Sequence, residues 1–279
     1  MAQLVKLFDY ISRYETNPYN YPGQYIRLKQ ENYKTIKARW DARNIAYKYG
    51  YVSQEEESNP KEFPQTELEL KQVFLNDLLP FQLKWASRTL TERSFMDKRY
   101  EKDPQLAYFL QRFPDTYLVL YEPIFKLKEA PMQGDHVIIS PQGIQCISFL
   151  GDEEGVTFYP FDSRNWYKES GDVRTKILNP LLSLQRTYRV VKSILAAHNI
   201  EFPVEQVILS QDHIISFSTE PYNARYIGKA QYEAWFERMR ALRSPLKHTQ
   251  LKALEAILSH AQTTSFRRNE WDDESDLIE

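Results

Sequence analysis

The chain reads as α/β, a central mixed sheet with flanking helices, and three stretches carry that expectation. Residues 134–150, Gly-Asp-His-Val-Ile-Ile-Ser-Pro-Gln-Gly-Ile-Gln-Cys-Ile-Ser-Phe-Leu, set two β-branched runs on either side of Ser-Pro-Gln-Gly. Pro141 presets a turn φ, and Gly143 is free to take the positive φ that closes a hairpin. Residues 116–121 and 204–209 are short apolar runs of strand composition. Leu181, Leu184, Tyr188, Val191 and Leu195 recur at helical period, which predicts a helix with one core-facing stripe.

The 279 residues suffice for one large domain or two modest ones. A net charge of -2 gives no global electrostatic case for nucleic acid, so any such binding has to come from a local patch. The single cysteine, Cys146, excludes an intramolecular disulfide framework and falls on an apolar strand, where a buried inert thiol is expected. No run approaches the ~20 apolar residues of a membrane span. The start lacks the long apolar region of a signal peptide, so the expectation is a soluble cytoplasmic protein without a membrane partner.

Leu4, Leu7, Phe8 and Ile11 stand at helical spacing and predict a short amphipathic helix over 4–14. Two prolines and a glycine within 17–23 predict an ordered turn, and Ile26, Tyr33, Ile36 and Trp40 a long helix over about 24–49. That helix carries Arg27, Lys29, Lys34, Lys37, Arg39, Arg43 and Lys48. They form either a phosphate-contacting face or a solvated surface whose long stems cover apolar neighbours. The acidic, proline-containing stretch 55–62 is the best candidate linker. Residues 1–62 are therefore an N-terminal helical region. Residues 63–102 form a helical connection, with one helix over 66–79 that bends or ends at Pro80 and a less regular one over 83–100.

Asp103 and Pro104 suit the cap and first position of a helix bearing Leu106, Phe109, Leu110 and Phe113. A strand over 124–127 precedes the hairpin. The turn at 151–155 leads into a strand over 156–159, extending the hairpin to an antiparallel meander. Asp152 or Glu153 could supply a relocated carboxylate there, against the simpler reading of a solvated tip. Asn179 and Pro180 cap and open the 181–195 helix. Strands at 204–209 and 214–218 complete the mixed sheet, and the Asp212-His213 pair between them reads as a structural turn. Aromatic and leucine stripes predict helices over 230–242 and 246–260. The core thus spans 103–228 and the C-terminal helices 229–268. The acidic tail, 269–279, carries Trp271, Leu277 and Ile278, which suit docking on a partner or on a basic patch.

The hairpin resembles the core of the nuclease-related domain (NERD) family, a branch of the PD-(D/E)XK restriction-endonuclease-like superfamily. Asp135-His136 and Pro141-Gln142-Gly143-Ile144 match its Asp-His strand opening and Pro-x-Gly-Ile turn. The following Glu-x-Lys does not, since Ser148 stands at the Glu position and Leu150 at the Lys position. Asn165-Trp166 and Asn179-Pro180 match a Trp after the last meander strand and an Asn-Pro-x-x-Gln helix start. Gln185 falls one residue later than the commonest spacing. The family's first helix also bears an acidic residue, for which only Glu101 and Asp103 are near.

The resemblance implies a PD-(D/E)XK-like sheet and a nuclease-related protein of bacterial nucleic-acid metabolism. In that superfamily two carboxylates hold Mg²⁺ while the Lys orients water and offsets phosphate charge. A serine hydroxyl is a poor Mg²⁺ ligand and leucine has no polar group. The site is therefore expected to be a remnant, with Asp135 alone and no cofactor. Arg174, Lys176, Arg186, Arg189 and Lys192 are the candidate nucleic-acid contacts, weighed against a merely solvated face. The preferred expectation is a catalytically inactive module that binds DNA, RNA or a protein partner. The alternatives are an Mg-dependent deoxyribonuclease with relocated catalytic residues and a structural scaffold in a complex.

Overall fold

A computed structural model describes residues 1–48, 64–151, 155–242 and 244–268. The candidate linker at 55–62, the carboxylates Asp152 and Glu153, and the acidic tail lie outside the described residues. In chain order the elements are β1 (Gln3–Leu7), α1 (Arg13–Thr16), α2 (Tyr21–Lys48), α3 (Glu67–Trp85), β2 (Glu92–Arg93) and, after a 3₁₀ turn at Lys98–Lys102, α4 (Pro104–Arg112). Then come β3 (Leu118–Tyr121), β4 (Ile124–Phe125), β5 (Met132–Gln133), β6 (His136–Ser140), β7 (Gly143–Phe149), β8 (Val156–Pro160), β9 (Asn165–Ser170) and β10 (Val173–Leu178). The chain closes with α5 (Leu181–Ala197), β11 (Val204–Leu209), β12 (Ile214–Ile215), β13 (Ala224–Ile227), α6 (Lys229–Ala241), α7 (His248–Ser259) and β14 (Phe266–Arg267).

The central sheet is mixed, in the order β1-β3-β6-β7-β11-β13. Its middle is the predicted hairpin, antiparallel with His136 opposite Ile147, Val137 opposite Cys146 and Ile139 opposite Ile144. On the far side β11 runs parallel to β7, and β13 parallel to β11. Alternation along the strands assigns the two faces. Phe149 meets Phe109 of α4 at 4.6 Å between ring centroids, and Phe113 just beyond α4 meets Phe236 of α6 at 5.5 Å. Helix α5 lies on the opposite face, where Thr187 bonds to Asp135, and the buried Gln250 of α7 donates to the carbonyls of Thr116 and Ile139. The result is a sheet between two helical layers.

Four expectations need correction. Residues 4–14 open as a strand, β1, parallel to β3 and buried at every position. A strand covered on both sides shows a continuous apolar run rather than alternation, and Leu4, Val5, Leu7 and Phe8 satisfy a helical period by coincidence. The stretch 83–100 is mostly irregular, since α3 continues through Pro80 to Trp85 and only β2 and the start of the 3₁₀ turn follow. Residues 156–159 do not extend the hairpin. They begin a second sheet, β10-β9-β8-β12, which also takes the short strand at 214–215, while β13 fills the place expected of it. Gly143, finally, is not among the residues with positive φ. Its missing side chain serves a close approach instead, because a Cβ there would stand 2.9 Å from the Pro203 carbonyl oxygen.

β1 is an edge strand, and a buried amide closes its open side. The Leu4 amide donates to Gln82 Oε1 at 2.6 Å, and Gln82 Nε2 donates to the Ala2 carbonyl at 2.7 Å and to the Tyr25 hydroxyl at 2.9 Å. One side chain from α3 thus does what a neighbouring strand would do. Replacing it by leucine keeps the volume and leaves two buried backbone groups unpaired. Gln82→Leu is expected to cost roughly 2–4 kcal/mol of stability, read as a lower urea midpoint.

Candidate functional site

Asp135 lies just before β6, and continuing the hairpin register sets it opposite Ser148 on the α5 side of the sheet. Its surroundings are hydroxyls. Thr187 donates to Oδ2 at 2.9 Å while accepting from the Asp135 amide at 2.9 Å, and Ser183 donates to Oδ1 at 3.3 Å. The Ser148 hydroxyl is a third hydrogen-bond partner. Burial raises the Asp135 pKa despite these bonds, each of which works in the other direction. Ser183 and Thr187 are four residues apart and face the sheet together from α5.

The two positions that depart from the family pattern are where the register placed them. Ser148 bonds to Asp135, and Leu150, 9% exposed, follows two residues later. Gln185 is half-buried on α5 and lies about 200° around the helix from Ser183, so it is not brought to Asp135. Counted from Asn179, the fifth position of Asn-Pro-x-x-Gln is Ser183, so Gln185 stands two residues beyond it rather than the one expected from the sequence, and Ser183 is the side chain that does reach Asp135. The local signal that could have found Ser183 and Thr187 is two hydroxyls at i and i+4 on an otherwise apolar stripe.

The acidic residue of the first helix does not join them. Asp103 caps α4, accepting at Oδ1 from the amides of Gln105 and Leu106 at 2.9 and 3.0 Å, and at Oδ2 from the Tyr121 hydroxyl at 2.8 Å. Tyr121 stacks on His136, whose side chain points to the α4 face, so Asp103 and Asp135 belong to opposite faces of the sheet. Glu101 is exposed. Among the described residues no three His, Cys, Asp or Glu side chains gather in a way that could hold a metal ion. Mg²⁺ of the kind the resemblance implies does not fit Asp135 as found, because its oxygens accept from hydroxyl donors and no second carboxylate faces it among the described residues.

Asp103, Gln105 and Phe149, with Leu150, line a cleft of about 490 Å³ on the other face, and Asp135 is not part of its wall. Asp212 and His213 border the same cleft. There His213 is buried, its Nδ1 is 2.8 Å from Ser210 Oγ, and Gly151, at φ 89°, packs against its ring, so the pair is held as a turn. Cys146 is fully buried and burial pushes its thiol well up, which leaves it unreactive.

The candidate cations fall into two groups on different elements. Arg186, Arg189 and Lys192 are exposed on α5, on the side turned from Asp135. Arg174 and Lys176 are exposed on β10, with the Arg174 guanidinium 4.3 Å from the Tyr167 ring centroid and 5.3 Å from that of Tyr159. On α2, Lys29 pairs with Asp115 and Lys37 with Glu67 at 2.7 Å, so part of that basic run is neutralised within the fold.

Residues 98–210 match the family model described as nuclease-related domain. A curated protein of Geobacillus stearothermophilus, described as an RNA 2',3'-cyclic phosphodiesterase, is 56% identical over 46 residues, which cover 16% of this chain and 15% of that protein. The chain therefore spans a small part of the length of that relative. No solved structure matches the chain. Among the described residues no helix is long and apolar enough to cross a membrane.

Two pH effects follow, in different windows. A raised carboxyl pKa means that the folded state holds its proton more tightly. Stability from Asp135 is present below the ordinary value of 3.8 and is lost as the pH rises through the raised one. Asp135→Asn is therefore expected to match or exceed the wild-type urea midpoint at pH 7, the difference closing below about pH 4. His136, buried between the Tyr121 and Phe149 rings, has its pKa lowered by burial from 6.5 to about 4. Its contribution is present above 6.5 and is lost as the pH falls toward 4, by up to about 1.4 kcal/mol per pH unit for one proton. Urea midpoints at pH 7.5 and 5 should differ less in His136→Phe than in the wild type.

Proposed function

We propose that the nuclease-related segment is a nucleic-acid-binding module that does not cleave. The observation that carries this reading is the setting of Asp135, a carboxylate held by hydroxyls with no second acid beside it among the described residues. Phosphodiester hydrolysis at a two-carboxylate site needs a metal-bound or base-activated water held in line with the scissile bond. Asp135 offers neither. Leu150 leaves no ammonium to offset charge on the phosphate.

Binding needs only cations at a solvent face. Arg186, Arg189 and Lys192 project outward because the opposite side of α5 is fastened to Asp135 and the sheet, and Arg174 and Lys176 add a second exposed group. A chain of net charge -2 draws no polyanion through its overall field, so contacts of this kind have to be local.

The test combines cleavage and binding. Labelled DNA and RNA, single- and double-stranded, are incubated with Mg²⁺ or Mn²⁺, and a 2',3'-cyclic nucleotide is included because the partial relative is named for that chemistry. No turnover above the Asp135→Ala background is expected, and turnover that disappears in Asp135→Ala would sink the reading. Binding should be salt-sensitive, and Arg186→Glu with Arg189→Glu should weaken it about tenfold while lowering the salt slope by about 1 per lost phosphate contact. Absence of binding to every nucleic acid would favour the scaffold reading instead.

A further inference from the structure

The second sheet has one face buried and one face open. Val156, Phe158 and Trp166 point inward, with Trp166 edge-on to Tyr226 of β13 at 5.1 Å. The other face carries the alternate residues of the same strands. Tyr159, Tyr167 and Lys176 stand side by side across β8, β9 and β10. Thr157, Glu169 and Arg174 form the next row. Phe161, just past β8 and 63% exposed, meets the Tyr167 ring at 5.0 Å.

We propose that this open face of β8, β9 and β10 is a stacking platform for single-stranded nucleic acid. The inference rests on the binding reading given above and deepens it by assigning a strand type and a surface. Phe161 is exposed with Tyr159 and Tyr167 half-buried beside it, and rings at a sheet surface suit bases that are already unstacked, whereas a duplex hides its base faces. The Arg174 guanidinium spread over Tyr159 and Tyr167 extends the flat π-surface and places a cation beside it. Lys176 in the adjoining row and Arg164 in the β8–β9 turn supply further positive charge for a phosphate backbone.

Among the described residues the carboxylates on and around this face are Glu169 and, at the turns, Asp162 and Asp172. Glu169 is the cross-strand neighbour of Arg174. Asp162 is tied into its own turn, accepting from the Arg164 amide at 2.7 Å and the Asn165 amide at 2.6 Å. Hydrogen bonds from Asn165 and Arg164 lower its pKa, so it remains charged, yet its oxygens are engaged away from an incoming strand. Leu178, 70% exposed, extends the apolar surface at the end of β10. Aromatic rings and cations together on one face select a partner that is both planar and anionic.

The experiment compares labelled oligo-dT, a mixed-sequence RNA strand and a duplex DNA of equal length, using the full chain. Single strands should bind in preference to the duplex. Phe161→Ser, a change at an exposed ring that leaves the inner face untouched, should weaken single-strand binding about tenfold, as should Arg174→Glu with Lys176→Glu. Tyr167→Ala should do the same, with its thermal melting curve as the control for folding. Single-strand binding unchanged in Phe161→Ser and in the double charge reversal overturns the platform. If binding is lost only in Arg186→Glu with Arg189→Glu, the platform falls while the binding reading stands, and a wild type that binds no nucleic acid removes both.

Discussion

The constraint on which the rest turns is the cost of keeping a carboxylate away from water without a counter-ion. Burial disfavours the charge of Asp135. In a metal site the cation would offset that cost. Here three hydroxyls do so in part, and two of them come from α5. Since Thr187 also accepts from the Asp135 amide, the same cluster fixes the helix to the start of β6. The carboxylate and its amide thus act as a fastener between helix and sheet.

That fastening determines what α5 can present to solvent. With Ser183 and Thr187 turned to the sheet, the helical period sends Arg186 and Arg189 outward. Leu181, Leu184 and Val191 fill the core alongside the hydroxyls, so the helix cannot roll without breaking both polar and apolar contacts. The outward cations are therefore held on a rigid element rather than on a loop, the condition under which a weakly charged chain can still present a defined anionic contact.

How far the sequence was readable depended on whether a signal was local. The hairpin of β6 and β7 was legible because β-branched runs and a Pro-x-Gly turn lie within a few residues, while the pairing of Asp135 with Ser148 across it emerged from the register. α4 was legible from its Asp-Pro start, which the structure uses as a cap. β1 was not, because a strand buried on both sides has no alternation to read and its partner β3 lies more than a hundred residues away. β9 and β10 escaped because β10, Val-Arg-Thr-Lys-Ile-Leu, is largely exposed and shows neither alternation nor a buried row. Ser183 and Thr187 were hidden for a third reason: a hydroxyl acquires meaning only once the carboxylate facing it is known. The row of Tyr159, Tyr167 and Lys176 likewise exists only through the register of three strands.

The two carboxylates nearest the family site show how a nuclease-like fold can keep its shape while its acids part company. Asp103 spends its oxygens on the α4 backbone and on Tyr121, while Asp135 spends its own on hydroxyls across the sheet. Between them His136, flanked by Tyr121 and Phe149, is kept neutral by burial at physiological pH and so offers no bridging charge. Restoring a metal site would need more than a glutamate at 148 and a lysine at 150. A second acid on the Asp135 face would meet a carboxylate whose pKa burial already raises, and without a cation in place each would raise the pKa of the other. The hydroxyls of Ser183 and Thr187 would have to release Asp135 at the same time, loosening α5 from the sheet it helps to cover. The hydroxyl cluster at Asp135 and the packing of α5 are thus one arrangement, and the cations of that helix stand on its outer side.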